Sequence, residues 1–160
     1  MRPHHLTVFA LFFIIVLTSA LTAPARAADP KSINICKLVS ADEIAKLYRK
    51  KLVPNQEAKG CYWSKKPNSM AYLHIGVHKY RRELRKYFSE KIPPHVQLKE
   101  IKDLGDGGYM TIAEGALGVI VVKKGNHVLQ SAVTFLDIKP GSDKHKLLWK
   151  IYKRILDKLD

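Results

Sequence analysis

The chain has 160 residues, 28 of them Lys or Arg against 14 Asp or Glu, for a net charge of +14. That length holds one domain with a real core, and two cysteines without a C-x-x-C pair or a flanking His exclude a cysteine-based metal site. The cationic excess either keeps the protein soluble or directs it to anionic surfaces such as lipid headgroups, lipopolysaccharide, nucleic acid or acidic polymers.

The first 27 residues have the layout of a secretory signal peptide. Arg2, His4 and His5 make a basic start, residues 6–17 are apolar and uncharged, and Ala25-Arg26-Ala27 places small residues at the −3 and −1 positions of a cleavage site. The apolar run falls short of the roughly 20 residues that span a bilayer. Cleavage after Ala27 leaves a single α+β domain, 28–160, with 26 basic residues against 14 acidic ones. Export, to the periplasm or beyond the cell, takes the chain into an oxidising compartment. There Cys36 and Cys61 are expected to pair, and a loop of that length stabilises by about 3–4 kcal/mol in the chain-entropy view. A lone nucleophilic thiol is not expected, because the second cysteine would oxidise it.

Residues 28–35 read as an extended lead-in. A helix opens at Ser40, where Ser40 and Glu43 form a capping box and Val39 and Ile44 a hydrophobic staple. Lys46, Arg49, Lys50 and Lys51 crowd its C-terminus, where the helix dipole favours cations, and Pro54 closes the segment. Residues 60–65 suit a strand, with a turn at Pro67-Asn68. In 71–78, Ala71, Leu73, Ile75 and Val77 alternate with Tyr72, His74, Gly76 and His78, the period of a strand with one buried face. Residues 81–90 suit a short middle helix with Tyr80, Leu84, Tyr87 and Phe88 on one side and Arg81, Arg82, Arg85 and Lys86 on the other. Pro93-Pro94 ends it.

The second half reads as an antiparallel meander. Strands are expected over 96–101, 109–113, 117–123 and 128–136, with a turn at Gly105–Gly108 and a tight hairpin at Gly125-Asn126. Pro140-Gly141-Ser142 introduces a long C-terminal helix. Its apolar stripe is Leu148, Ile151, Tyr152, Ile155 and Leu159; Lys144, Lys146, Lys150, Lys153, Arg154 and Lys158 form its outer face. The expected fold is therefore an antiparallel sheet of about six strands flanked by an N-terminal, a middle and a long C-terminal helix.

Several short motifs occur in a fixed order: Cys36-Lys37-Leu38-Val39-Ser40-x-x-Glu43, Cys61-Tyr62-Trp63, Asp103-Leu104-Gly105-Asp106-Gly107-Gly108-Tyr109 and Lys124-Gly125-Asn126. Together they cover most of 35–136. The series resembles an uncharacterised family of small exported bacterial lipoproteins with the pattern Cys-x-Leu-x-Ser/Thr-x-x-Glu, Cys-x-Trp, Gly-Leu-Gly-Asp. The resemblance implies a curved antiparallel sheet flanked by helices, similar to the PsbP-like architecture, and a Cys36–Cys61 bond. It implies no catalytic residues. This chain lacks the lipidation cysteine and is more basic than that family.

No catalytic, metal or cofactor-binding residue is assigned from the sequence. His74 and His78 have metal-like i, i+4 spacing, but on a strand that spacing puts them about 13 Å apart along the chain. Gly105–Gly108 is neither a P-loop nor a G-x-G-x-x-G turn opening a helix; its glycines are expected to supply positive φ. No nucleophile elbow or HExxH occurs. The remaining signal is the pair of basic helix faces, Arg81, Arg82, Arg85 and Lys86 in the middle helix and Lys146, Lys150 and Lys153 in the last. Arginine supplies bidentate geometry for phosphate. The expected function is that of an exported, non-enzymatic binding or accessory protein that docks on an anionic envelope surface, a polyanion or an acidic protein. The alternatives are a sheet-cavity module for a small ligand or protein and a secreted effector or toxin.

Overall fold

The computed structural model describes residues 33–80, 86, 92–134 and 137–159. The expected signal peptide and most of the expected middle helix, including Arg81, Arg82 and Arg85, lie outside the described residues. Elements run α1 (Ile35–Leu38), α2 (Ala41–Tyr48), β1 (Val53–Glu57), β2 (Gly60–Ser64), β3 (Ala71–Lys79), β4 (Gln97–Ile101), β5 (Gly108–Ala113), β6 (Ala116–Lys124), β7 (His127–Val133) and α3 (Asp143–Leu156). The seven strands form one antiparallel sheet in the order β1-β2-β3-β7-β6-β5-β4. The α+β class holds, with seven strands where about six were expected.

The extra strand is β1. Its sequence, Val-Pro-Asn-Gln-Glu, neither alternates nor favours strands, and Pro54 reads as a stop. Pro54 is tolerated because β1 is the sheet edge, pairing with β2 alone. Two amide side chains take up its carbonyls: Asn55 Nδ2 donates to the Val53 carbonyl at 2.9 Å and Gln56 Nε2 to the Glu57 carbonyl at 2.7 Å. The other element beyond expectation is α1, a single turn capped by Asn34, whose side chain accepts the Lys37 N–H.

Where local signals were strong, the structure follows them. Ser40 caps α2 through its hydroxyl, which accepts the Glu43 N–H at 3.2 Å; Glu43 reciprocates by accepting the Ser40 N–H at 2.9 Å. Both staple residues, Val39 and Ile44, are buried. On β3, Leu73, Ile75 and Val77 face the core, aligned with Val133, Ser131 and Leu129 of β7. The stripe of α3 is buried as expected, from Leu148 to Leu159.

One sheet face and the helices enclose the main core, in which Trp63, Tyr152, Ile44, Leu73, Ile120 and Leu148 are fully buried. Trp149 Nε1, at its border, has no hydrogen-bond partner among the described residues, whereas the hydroxyls of the core's buried tyrosines have one. The Tyr152 hydroxyl donates to Ser131 Oγ at 2.6 Å, and burial pushes the Tyr152 phenol well above its ordinary pKa. The opposite sheet face carries a smaller apolar cluster of Val121 and Val128 with Tyr80, Ile92, Leu98, Tyr109 and Val119. Cys36 and Cys61 are bonded, fastening α1 to β2 with Cα atoms 5.2 Å apart.

Gly105 and Gly107 adopt positive φ, 56° and 99°. Their loop lies against β6, with the Asp106 N–H donating to the Lys123 carbonyl at 2.8 Å. The Asp106 carboxylate in turn accepts the Gly125 N–H of the β6–β7 hairpin at 2.7 Å.

Candidate functional site

The helix layer carries the expected cationic surface. Lys146, Lys150 and Lys153 recur at i, i+4 and i+7 of α3, so they share one side, and all three are exposed. Lys146 has an i−3 partner, Asp143 at 3.6 Å. Lys150 and Lys153 have no ionic partner among the described residues. Of the middle-helix group, Lys86 is helical and exposed.

The sequence did not show how α2 joins this face. Arg154 reaches from α3 to Glu43 on α2, with Nη2 at 2.9 Å from Oε1 and 2.8 Å from Oε2. Burial would raise the pKa of Glu43, but the Ser40 N–H and the Arg154 guanidinium outweigh it and hold the carboxyl below its ordinary value. The charge of the Glu43 carboxylate is thereby compensated by Arg154. Exposed cations lie near this pair in the chain, Lys46 and Lys50 after Glu43 on the α2 segment and Lys150 and Lys153 before Arg154 on α3. The residues were visible in the sequence, but the contact spans 111 positions, and no local pattern reports it.

The histidines differ from their sequence reading. His74 and His78 are far apart along β3, yet both rings lean over Gly76. A Cβ placed on Gly76 would sit 2.9 Å from His78 Nε2 and 3.4 Å from His74 Cε1. The missing side chain is the space the rings occupy. His74 Nε2 lies 3.1 Å from Glu57 on β1. Burial lowers the pKa of His78, helped by the nearby Lys59 and His74. Among the described residues, no group of three or more His, Cys, Asp or Glu is arranged to hold a metal ion. No described helix is long and apolar enough to cross a membrane. The disulfide is consistent with an oxidising, non-cytoplasmic location.

No family model, curated protein or solved structure matches this chain.

Proposed function

We propose that this is an exported, non-enzymatic binding or accessory protein that docks on an anionic partner through its basic helix faces, the envelope surface foremost. The observation that supports this reading is the cationic side of α3. Lys150 and Lys153 are exposed without an ionic counterpart among the described residues, and Arg154 is committed to Glu43. Such uncompensated charge contributes little to folding but attracts polyanions over a Debye length.

Changing Lys146, Lys150 and Lys153 together to Gln tests it. Stability should stay almost unchanged. Retention on phosphatidylglycerol vesicles should weaken, and its salt dependence should flatten because fewer counterions are released; the argument for nucleic acid carries over qualitatively. Wild-type protein that ignores anionic vesicles and heparin alike overturns the proposal and favours a ligand-binding sheet module.

A further inference from the structure

The anionic-surface reading leaves open where the molecule touches its partner, and a second cationic region answers that. Val53, Ser64 and Ala71 are aligned across β1, β2 and β3. The start of β1, the end of β2 and the start of β3 therefore meet at one end of the sheet. Arg49, Lys50 and Lys51 enter this end from the C-terminus of α2; Lys65 and Lys66 occupy the β2–β3 turn. All five side chains belong to exposed residues, and none forms an ion pair with a described residue. Lys50 Nζ stands 5.5 Å from the centre of the Tyr72 ring, which ties the α2 terminus to the β3 start.

This end also holds the two exposed large apolar side chains among the described residues, Met70 at 70% and Val53 at 42% exposure. Scattered exposed apolar residues are ordinary. These two lie at the same tip, two strand spacings or about 10 Å apart, with cations around them. The chain segment that builds the tip is poor in negative charge. From Ile44 to Arg82 there are ten Lys or Arg and one acidic residue, Glu57. Glu57 sits at the far end of β1, about 13 Å from Val53, beside His74. Glu114, in the β5–β6 hairpin at the same sheet end, is three strands away from β2.

The tip is held in shape by its own hydrogen bonds. The Lys66 carbonyl accepts from Ser64 Oγ at 2.8 Å, from Ser69 Oγ at 2.8 Å and from the Ser69 N–H at 3.2 Å. Asn68 takes the left-handed conformation the turn requires, at φ 57°. Asn55 Nδ2 donates to Ser64 Oγ at 3.0 Å, bracing the turn against β1.

We infer that this tip is a bilayer-contact site: Met70 and Val53 enter the headgroup boundary of an anionic membrane while Arg49, Lys50, Lys51, Lys65 and Lys66 meet lipid phosphates. The inference rests on the anionic-surface reading above and names its contact point. A purely electrostatic polyanion site has no use for the two apolar side chains; an interfacial lipid site uses both kinds of group.

The test compares three variants of the disulfide-bonded protein on phosphatidylcholine vesicles with and without phosphatidylglycerol, and on heparin. Their thermal midpoints should match the wild type. Lys65→Gln with Lys66→Gln should weaken binding to anionic vesicles about thirtyfold, at roughly fivefold per lysine. Met70→Ser with Val53→Thr should weaken vesicle binding several-fold and leave heparin binding unchanged. The α3 triple Gln variant is the third arm. If both tip variants bind vesicles like wild type while the α3 variant loses binding, the tip is overturned and the docking function stands. If the lysine pair loses vesicle and heparin binding equally and the apolar pair loses neither, the partner is a soluble polyanion and the lipid assignment is overturned. If wild-type protein binds neither vesicles nor heparin, both proposals fall.

Discussion

Arg154 and Glu43 join the last helix to the N-terminal cap of α2. The guanidinium binds both carboxylate oxygens, at 2.9 and 2.8 Å, while the same carboxylate accepts the Ser40 N–H. Glu43 thus ends one helix's unsatisfied amide and clamps another helix beside it. Its side chain is only 15% exposed, so solvent screens this pair less than an ordinary surface bridge.

Glu43→Ala should therefore cost about 1–3 kcal/mol, more than Ser40→Ala at about 0.5–2 kcal/mol. Chemical denaturation measures both. An Arg154→Ala background should shrink the Glu43 effect, the signature of coupled partners. Because the folded-state pKa of Glu43 is depressed, its contribution is complete above the unfolded carboxyl value. It should fade as pH falls through the folded one.

The disulfide gives a second expectation. Cys36 and Cys61 are 25 positions apart, and the protein from an oxidising compartment should show no alkylatable thiol by mass spectrometry. Reducing the bond should lower the unfolding free energy by about 3–4 kcal/mol. A reduced protein with an unchanged denaturation midpoint would contradict that.

His78 sets a third. Its folded pKa lies below the unfolded value through burial, with Lys59 and His74 adding repulsion. A depressed histidine favours the neutral form in the fold, so stability is fully present above the unfolded value near 6.5. It is lost as pH drops through the folded value. His78→Gln should flatten the stability profile in that window. His145 is depressed as well, by burial first and by Lys99, against the opposing pull of Asp103, so part of the slope should persist.

Two glycines make a contrasting pair. A Cβ on Gly108 would collide with the Val121 carbonyl oxygen and lie 2.8 Å from Val122 Cα, both backbone. Gly108→Ala must push β5 off β6 and should cost about 3 kcal/mol. On Gly76 the nearest atom is a histidine ring tip, which can rotate away. Gly76→Ala should cost clearly less while moving the His78 titration, readable by NMR.

Much of this architecture was legible where the determining contacts are local. The Ser40–Glu43 box, the alternation along β3 and the stripe of α3 are each written within a few residues. β1 was not legible, because its strand character comes from β2 offering an unpaired edge rather than from its own side chains. The convergence of His74 and His78 depends on the space left by Gly76, which spacing along a strand does not report. The basic tip is assembled from α2, β1 and the β2–β3 turn, and those segments look like unrelated charge runs in one dimension. The α3 lysines were readable because helical periodicity alone places them together.

The way β1 finishes the sheet bears on self-assembly. Pro54 has no N–H to offer a neighbour, and Asn55 and Gln56 turn their side-chain amides to the partner strand, donating to Ser64 Oγ and to the Gly60 carbonyl. This border is a poor template for another strand. A second copy approaching along β1 would meet a carbonyl-bearing residue with no donor at Pro54, a gap in any ladder it tried to extend.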